Sequence, residues 1–208
     1  MSKNSLTAII MATMLEAAPL VDILKMEKIE HGPFELYKNN EAVLVISGIG
    51  KANAAMATAY CCLTFGPKRI INLGAAGALG PSHTLGEMYH INKVIEHDRP
   101  ELGSDKLHVH IPGVLPGFQT ATLATGDKPV VDGDARSQLS RHADLVDMEA
   151  AAVVQTSIRF KTPCLLFKMV SDTPEHLNHS DIIKHIMIYR TSFSQTFADA
   201  VLPVLKSI

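Results

Sequence analysis

The sequence predicts an α/β fold with a mainly parallel sheet covered by helices on both faces. Short apolar runs alternate with longer stretches of helical periodicity along most of the chain. The runs are apolar at consecutive rather than alternate positions, the pattern of strands buried on both faces. With 208 residues, 47% of them hydrophobic, the chain can build one full core, and no repeat, low-complexity segment or linker divides it. A single domain spanning 1–208 is expected.

In chain order, Leu6–Ala12 reads as a buried strand rather than a signal segment, because Glu16 interrupts the apolar stretch and only Lys3 precedes it. A helical pattern follows over Glu16–Leu24. Ala42–Ser47 is the second strand, and Gly48-x-Gly50 turns it into a helix over Ala52–Leu63. Arg69–Leu73 is the third strand, leading into a glycine- and alanine-rich turn over Asn72–Gly80. Met88–Ile95, Ala121–Ala124 and Pro163–Val170 are further strands, while Met148–Arg159 and Asp181–Leu205 carry helical periodicity. Pro100–Phe118 is rich in Gly, Pro and His, lacks a period, and reads as a long functional loop or flap.

Composition narrows the function. The formal net charge is −2, and Lys and Arg are scattered rather than gathered, which argues against nucleic acid or an anionic membrane as partner. No apolar run is long enough to span a bilayer. Cys61, Cys62 and Cys164 lie in apolar surroundings without zinc or disulfide spacing, so reduced core cysteines in a cytoplasmic protein are expected. His176-x-x-His179 is a close pair outside the flap, but no cysteine or carboxylate cluster accompanies it, so no metal is expected. His108 and His110 are candidates for substrate contact from the flap.

Ligands of open α/β sheets collect at the carboxyl ends of the strands. Glu16, Gly48–Lys51, Gly74–Gly80 and Ser171–Asp172 all follow predicted strands and converge there. Gly48-x-Gly50 meets only part of a dinucleotide fingerprint: its third small position is Asn53, and Pro67–Ile71, about 20 residues on, has no acidic residue for a ribose. No nicotinamide or flavin cofactor is expected. On local sequence, Asp147 and Glu149 are equally well read as first-turn helix charges, and Ser171–Asp172 as a helix cap. Glu16 is harder to explain structurally, because an unpaired carboxylate at an apolar junction is costly to bury.

Taken together, Ser47-Gly-Ile-Gly-Lys51, Asn72-Leu-Gly-Ala-Ala-Gly77, Val146-Asp-Met-Glu-Ala150 and Val170-Ser-Asp172 resemble the nucleoside phosphorylase/nucleosidase family, most of all its bacterial 5′-methylthioadenosine/S-adenosylhomocysteine nucleosidases. The likeness keeps its order from Ile9 to about Leu205 and is weakest over Pro100–Phe118. It implies a three-layer α/β/α sandwich around a mixed, partly barrel-like sheet, a homodimer, no cofactor, and hydrolysis of the N-glycosidic bond of a purine nucleoside in methionine salvage. It implies a water-activating role for Glu16, ribose binding by Met148 and Glu149, and a leaving-group acid at Asp172 beside Ser171. Adenine would meet backbone groups ending at Val130, and Ile49 would line the 5′-substituent pocket. Ala75 stands where the nucleosidases often carry serine, Lys168 where arginine is usual, and Pro129 where an aromatic stacks near adenine.

The chemistry asks for such residues whatever the family. Cleaving a ribosyl–purine bond builds oxocarbenium character on the sugar and negative charge on the base, so one group must steer water and another must protonate the base. Two carboxylates flanking the sugar meet that need, as in inverting glycoside hydrolysis. A phosphorylase would instead need cations for phosphate. Where phosphorylases of the family carry an arginine this chain has Asn72, and Met11–Leu15 replaces their Gly-Asp-Pro phosphate loop, which favours water as nucleophile.

Overall fold

In the computed structural model, residues 6–29, 32–101, 103–104, 106–176 and 178–207 are described. Lys3 and two positions of the Pro100–Phe118 stretch therefore lie outside the described residues. The chain runs β1 (Thr7–Met11), α1 (Met14–Ile23), β2 (Glu27–Ile29), β3 (Glu35–Lys38), β4 (Ala42–Ile46), α2 (Lys51–Phe65) and β5 (Arg69–Ala78). It continues through β6 (Met88–Pro100), β7 (Leu107–His110), β8 (Thr120–Thr125), α3 (Gly133–Leu139), β9 (Leu145–Asp147), α4 (Ala150–Arg159) and β10 (Cys164–Asp172). The last helix, α5 (His179–Thr196), passes through a π turn at Phe197–Val201 into α6 (Leu202–Lys206), so the single pattern expected over Asp181–Leu205 is broken once.

The sheet is mixed. β1 pairs in parallel with β4 and β5, and β5 in parallel with β10. β10 then runs antiparallel to β6, which pairs in parallel with β8; β8 pairs in parallel with β9, and β9 returns antiparallel to β5. Those five strands close a ring, and β1, β4, β3 and β2 extend it as an open wing. Closure leaves the strands of the ring without free edges. Helices α2 and α4 pack together on one face and α1 and α5 on the other, each over its own apolar cluster. This is the three-layer arrangement that the family likeness implies.

Three expectations are corrected. The glycine-rich turn after the third strand is not a turn: β5 continues to Ala78, because Gly and Ala side chains let β9 and the Asp172 side chain approach its backbone. The Pro100–Phe118 loop contains β7, which pairs with an extended β6 and places His110 against Glu96 rather than at a ligand cavity. Helix α4 begins at Ala150 with Glu149 as its N-cap, two residues later than the helix expected from Met148.

Phe167 on β10 anchors the α1/α5 side of the core. It is fully buried, stacks face to face on His90 at 4.2 Å, and meets Phe118 and Phe197 edge-on. His90 is fixed in turn by the Leu166 carbonyl and the Leu115 N–H. Phe167→Ala should cost about 3–5 kcal/mol of stability, the range for emptying a buried aromatic site, read as a lowered denaturant midpoint at unchanged slope.

Candidate active site

The turn Ser47-Gly-Ile-Gly-Lys51 joins β4 to α2 with Gly48 at φ 84° and Gly50 at φ 99°, conformations that side chains rarely adopt. Its exposed amides are already answered. The Gly50 N–H donates to Glu149 Oε1 at 2.9 Å, and the Lys51 N–H to Asp127 Oδ1 at 2.8 Å. A helix start that could bind an external anion holds the protein's own carboxylates instead.

Thr13 caps α1, and its hydroxyl donates to Glu16 Oε2 at 2.7 Å. The other oxygen, Oε1, accepts the Ala75 N–H at 2.8 Å. Glu16 is thus fixed between the first helical turn and β5, close over Gly74: a Cβ there would stand 3.0 Å from Glu16 Oε1.

Lys168 lies beneath the site, 1% exposed, with Nζ 2.8 Å from Asp147 Oδ2. Asp147 also accepts the Thr125 hydroxyl at 2.6 Å and the Ala150 N–H at 3.0 Å. Burial pulls the Lys168 ammonium down, but the charges of Asp147, Glu149 and Glu16 outweigh it and hold its pKa above the ordinary value. For Glu149, burial and the Asp147 charge outweigh Lys168 and the Gly50 N–H, and the carboxyl is raised to about 7.

At the far end, Asp172 Oδ1 accepts the Ser171 hydroxyl at 2.6 Å, and Oδ2 pairs with the Arg136 guanidinium from α3. Here β5 must be bare: a Cβ at Gly77 would stand 2.5 Å from Asp172 Oδ2.

One cavity of about 420 Å³ joins these groups. Glu16, Ala75, Met148 and Glu149 line its middle together with Ala76. Ser171, Asp172, Val130 and Pro129 line the end that also holds Arg136. Ile49 borders the same space and is 55% exposed, with Leu15, Ile183 and Ile186 adding apolar wall from α1 and α5. The residues that the family likeness singles out for nucleoside contact all border this cavity, whereas His108 and His110, the flap candidates for substrate contact, do not.

His179 also lines it, whereas His176 turns to the Thr173 hydroxyl and the ring of His185. Among the described residues no group of three or more His, Cys, Asp or Glu could hold a metal ion. Asn72 faces elsewhere, its amide donating to the Ile10 carbonyl at 3.0 Å and cross-linking β5 to β1. Sequence reasoning missed Arg136, Thr13 and the Lys168–Asp147 pair. The signal for Arg136 was an Asp132 cap ahead of a short helix, directly after the segment expected to meet the base.

The chain resembles known proteins over most of its length. It is 30% identical over 214 residues to a 5′-methylthioadenosine/S-adenosylhomocysteine nucleosidase of Bacillus subtilis (strain 168), covering 88% of this chain and 90% of that one. It is 27% identical to an aminodeoxyfutalosine nucleosidase of Campylobacter jejuni, covering 79% and 84%. Its fold is that of the Arabidopsis thaliana 5′-methylthioadenosine nucleosidase, with a TM-score of 0.87 at 20% identity over 98% and 97% of the chains. The Helicobacter pylori 5′-methylthioadenosine/S-adenosylhomocysteine nucleosidase is similar, with a TM-score of 0.84 at 17% identity over 99% of both. Residues 7–202 match the sequence profile of the Phosphorylase superfamily, and with the ring-closed sheet and the carboxylate-lined cavity in agreement, the chain belongs to that family.

Proposed function

We propose that the protein is a purine nucleosidase that hydrolyses the N-glycosidic bond of 5′-methylthioadenosine or S-adenosylhomocysteine-like nucleosides and releases adenine. The observation that carries this reading is the convergence of Glu16, Glu149 and Asp172 on one cavity, whose buried cation Arg136 is already engaged by Asp172. Glu16, held by Thr13 and the Ala75 N–H, orients water and takes its proton as the oxygen attacks C1′. The C1′–N9 electron pair leaves with the base, and Asp172, after taking up a proton from solvent, passes it to N7 and returns to the carboxylate that pairs with Arg136. Glu149 accepts hydrogen bonds from the vicinal ribose hydroxyls, and Met148 packs on the sugar face. Val130 meets the base through its backbone, and the apolar wall at Ile49 takes the 5′-substituent.

Water is favoured over phosphate electrostatically. A phosphate would enter a space bordered by Glu16, Asp147 and Glu149, which outnumber the exposed Lys128, while Arg136 already faces Asp172 and Lys168, beneath, already faces Asp147. Incubation with 5′-methylthioadenosine, S-adenosylhomocysteine, adenosine and inosine, with and without phosphate, should release free base and free sugar independently of phosphate. Obligatory formation of a sugar 1-phosphate would overturn the hydrolytic reading, and binding without turnover would mark a nucleoside-binding protein.

Glu16→Gln and Asp172→Asn should each lower base release by at least about 10²-fold, and Asp172→Asn should also lower the unfolding midpoint because it leaves Arg136 buried without its carboxylate. Near-normal turnover in either removes that residue from the mechanism.

The raised Glu149 pKa sets a pH dependence with two opposite signs. Nucleoside affinity should rise as pH passes upward through about 7, when Glu149 becomes the stronger acceptor, by on the order of five- to tenfold. Stability should fall over the window from 4.5 to about 7, where the unfolded carboxyl has lost its proton and the folded one keeps it. Titration of a bound nucleoside analogue checks the first, and Glu149→Gln should flatten both profiles.

The reading includes a homodimer acting in the cytoplasm in methionine salvage. Ile49, Met56 and Leu63 recur at seven-residue spacing along the rim and one face of α2 and are 55%, 55% and 76% exposed, an apolar stripe suited to a second copy. No helix among the described residues is long and apolar enough to cross a membrane. Light scattering should give twice the chain mass, and Met56→Glu should halve it; a wild-type mass of one chain counts against the dimer.

A further inference from the structure

Arg136 has no part in the chemistry set out above, yet it is 2% exposed and borders the active cavity. Its donors are distributed over three parts of the site. Nη2 pairs with Asp172 Oδ2, Nε donates to the Val130 carbonyl at 2.8 Å, and Nη1 donates to the Ala78 carbonyl at 2.8 Å. Asp172 belongs to β10, Val130 to the segment before α3, and Ala78 to the end of β5, so one planar group joins three elements that are distant in sequence. The geometry requires glycine at position 77, where a Cβ would stand 3.0 Å from Arg136 Nη2 as well as 2.5 Å from Asp172 Oδ2. With Ser171 on Oδ1, both oxygens of Asp172 are directed, and its carboxyl plane is fixed relative to the backbone at Val130.

We propose that Arg136 is a positioning residue for departure of the base: its rigid fork holds the acid Asp172 and the base-facing Val130 segment in one frame, so that a purine seated against Val130 presents its ring nitrogen to the Asp172 carboxyl. This rests on the nucleosidase reading. Lysine cannot reproduce the fork, because a single ammonium cannot span a carboxylate and two carbonyls in one plane.

The role separates from a purely structural one by the leaving group. A purine base needs a proton to depart, whereas 4-nitrophenolate from 4-nitrophenyl β-D-riboside does not. In Arg136→Lys and Arg136→Gln, kcat for 5′-methylthioadenosine should fall by about ten- to a hundredfold with KM within about threefold, while kcat for the nitrophenyl riboside stays within about threefold of the unaltered protein. Variants in which the two activities fall in parallel, or that lose the thermal unfolding transition, assign Arg136 to the scaffold and overturn the proposal. So does unchanged turnover of 5′-methylthioadenosine. An unaltered protein inactive on both compounds overturns the nucleosidase reading and this inference with it. An unaltered protein active on both, whose variants keep the ratio, overturns the inference alone.

Discussion

The site depends on one buried ammonium group. Lys168 projects from β10 beneath the cavity, where the carboxylates of Asp147, Glu149 and Glu16 all act on it. Removing a charge from water costs several kcal/mol even after relaxation, and attraction between partners offsets that only when the remaining hydrogen-bonding capacity is filled. Asp147 meets the condition with the Thr125 hydroxyl and the Ala150 N–H besides Lys168. The strands that supply these groups, β8, β9 and β10, are members of the closed ring. Closure thus brings the cation to the carboxylates, and the cation makes it tolerable to gather carboxylates beside the cavity. Glu149 shows how far that compensation reaches, since its carboxyl is still raised to about 7.

The backbone supplies the other half of the charge balance. Gly50, Lys51 and Ala75 each direct an N–H at a carboxylate, to Glu149, Asp127 and Glu16 respectively. At a phosphate-binding helix start such amides are free for the ligand. Here they orient carboxylate side chains, and the resulting negative field repels an anion. A neutral nucleophile is the chemical consequence, and the choice between hydrolysis and phosphorolysis comes down to what already occupies a few backbone amides.

Much of this was legible in the sequence where the signal was local. Buried strands betray themselves as consecutive apolar residues, and β1, β4 and β10 were found that way within a few residues. Glu16 stood out because a carboxylate at an apolar junction demands a partner. What escaped reading was set by contacts distant in sequence. β9 has three residues, too few to show a period, and is a strand because β5 and β8 flank it. β5 beyond Leu73 has turn composition yet strand geometry, since its pairing with β10 overrides local propensity. Arg136 lies on a seven-residue helix, and its meaning comes from a partner 36 positions away.

The misread stretch Gly74–Ala78 explains why so bland a strand lies at the centre of the site. Side chains on β5 would occupy the space that Glu16 and Asp172 need, at 3.0 Å from the first over Gly74 and 2.5 Å from the second over Gly77. Both carboxylates are therefore laid against the backbone of one strand, whose Ala75 N–H donates to one of them and whose Ala78 carbonyl accepts from the arginine holding the other. A single strand shared by Glu16 and Asp172 fixes their separation more firmly than two loops could, because strand backbone inside a closed ring has little freedom to shift. The glycines weaken the strand itself, and its pairing with β1, β9 and β10 offsets that loss. The sequence is low in chemical content at this point because its function there is to leave room.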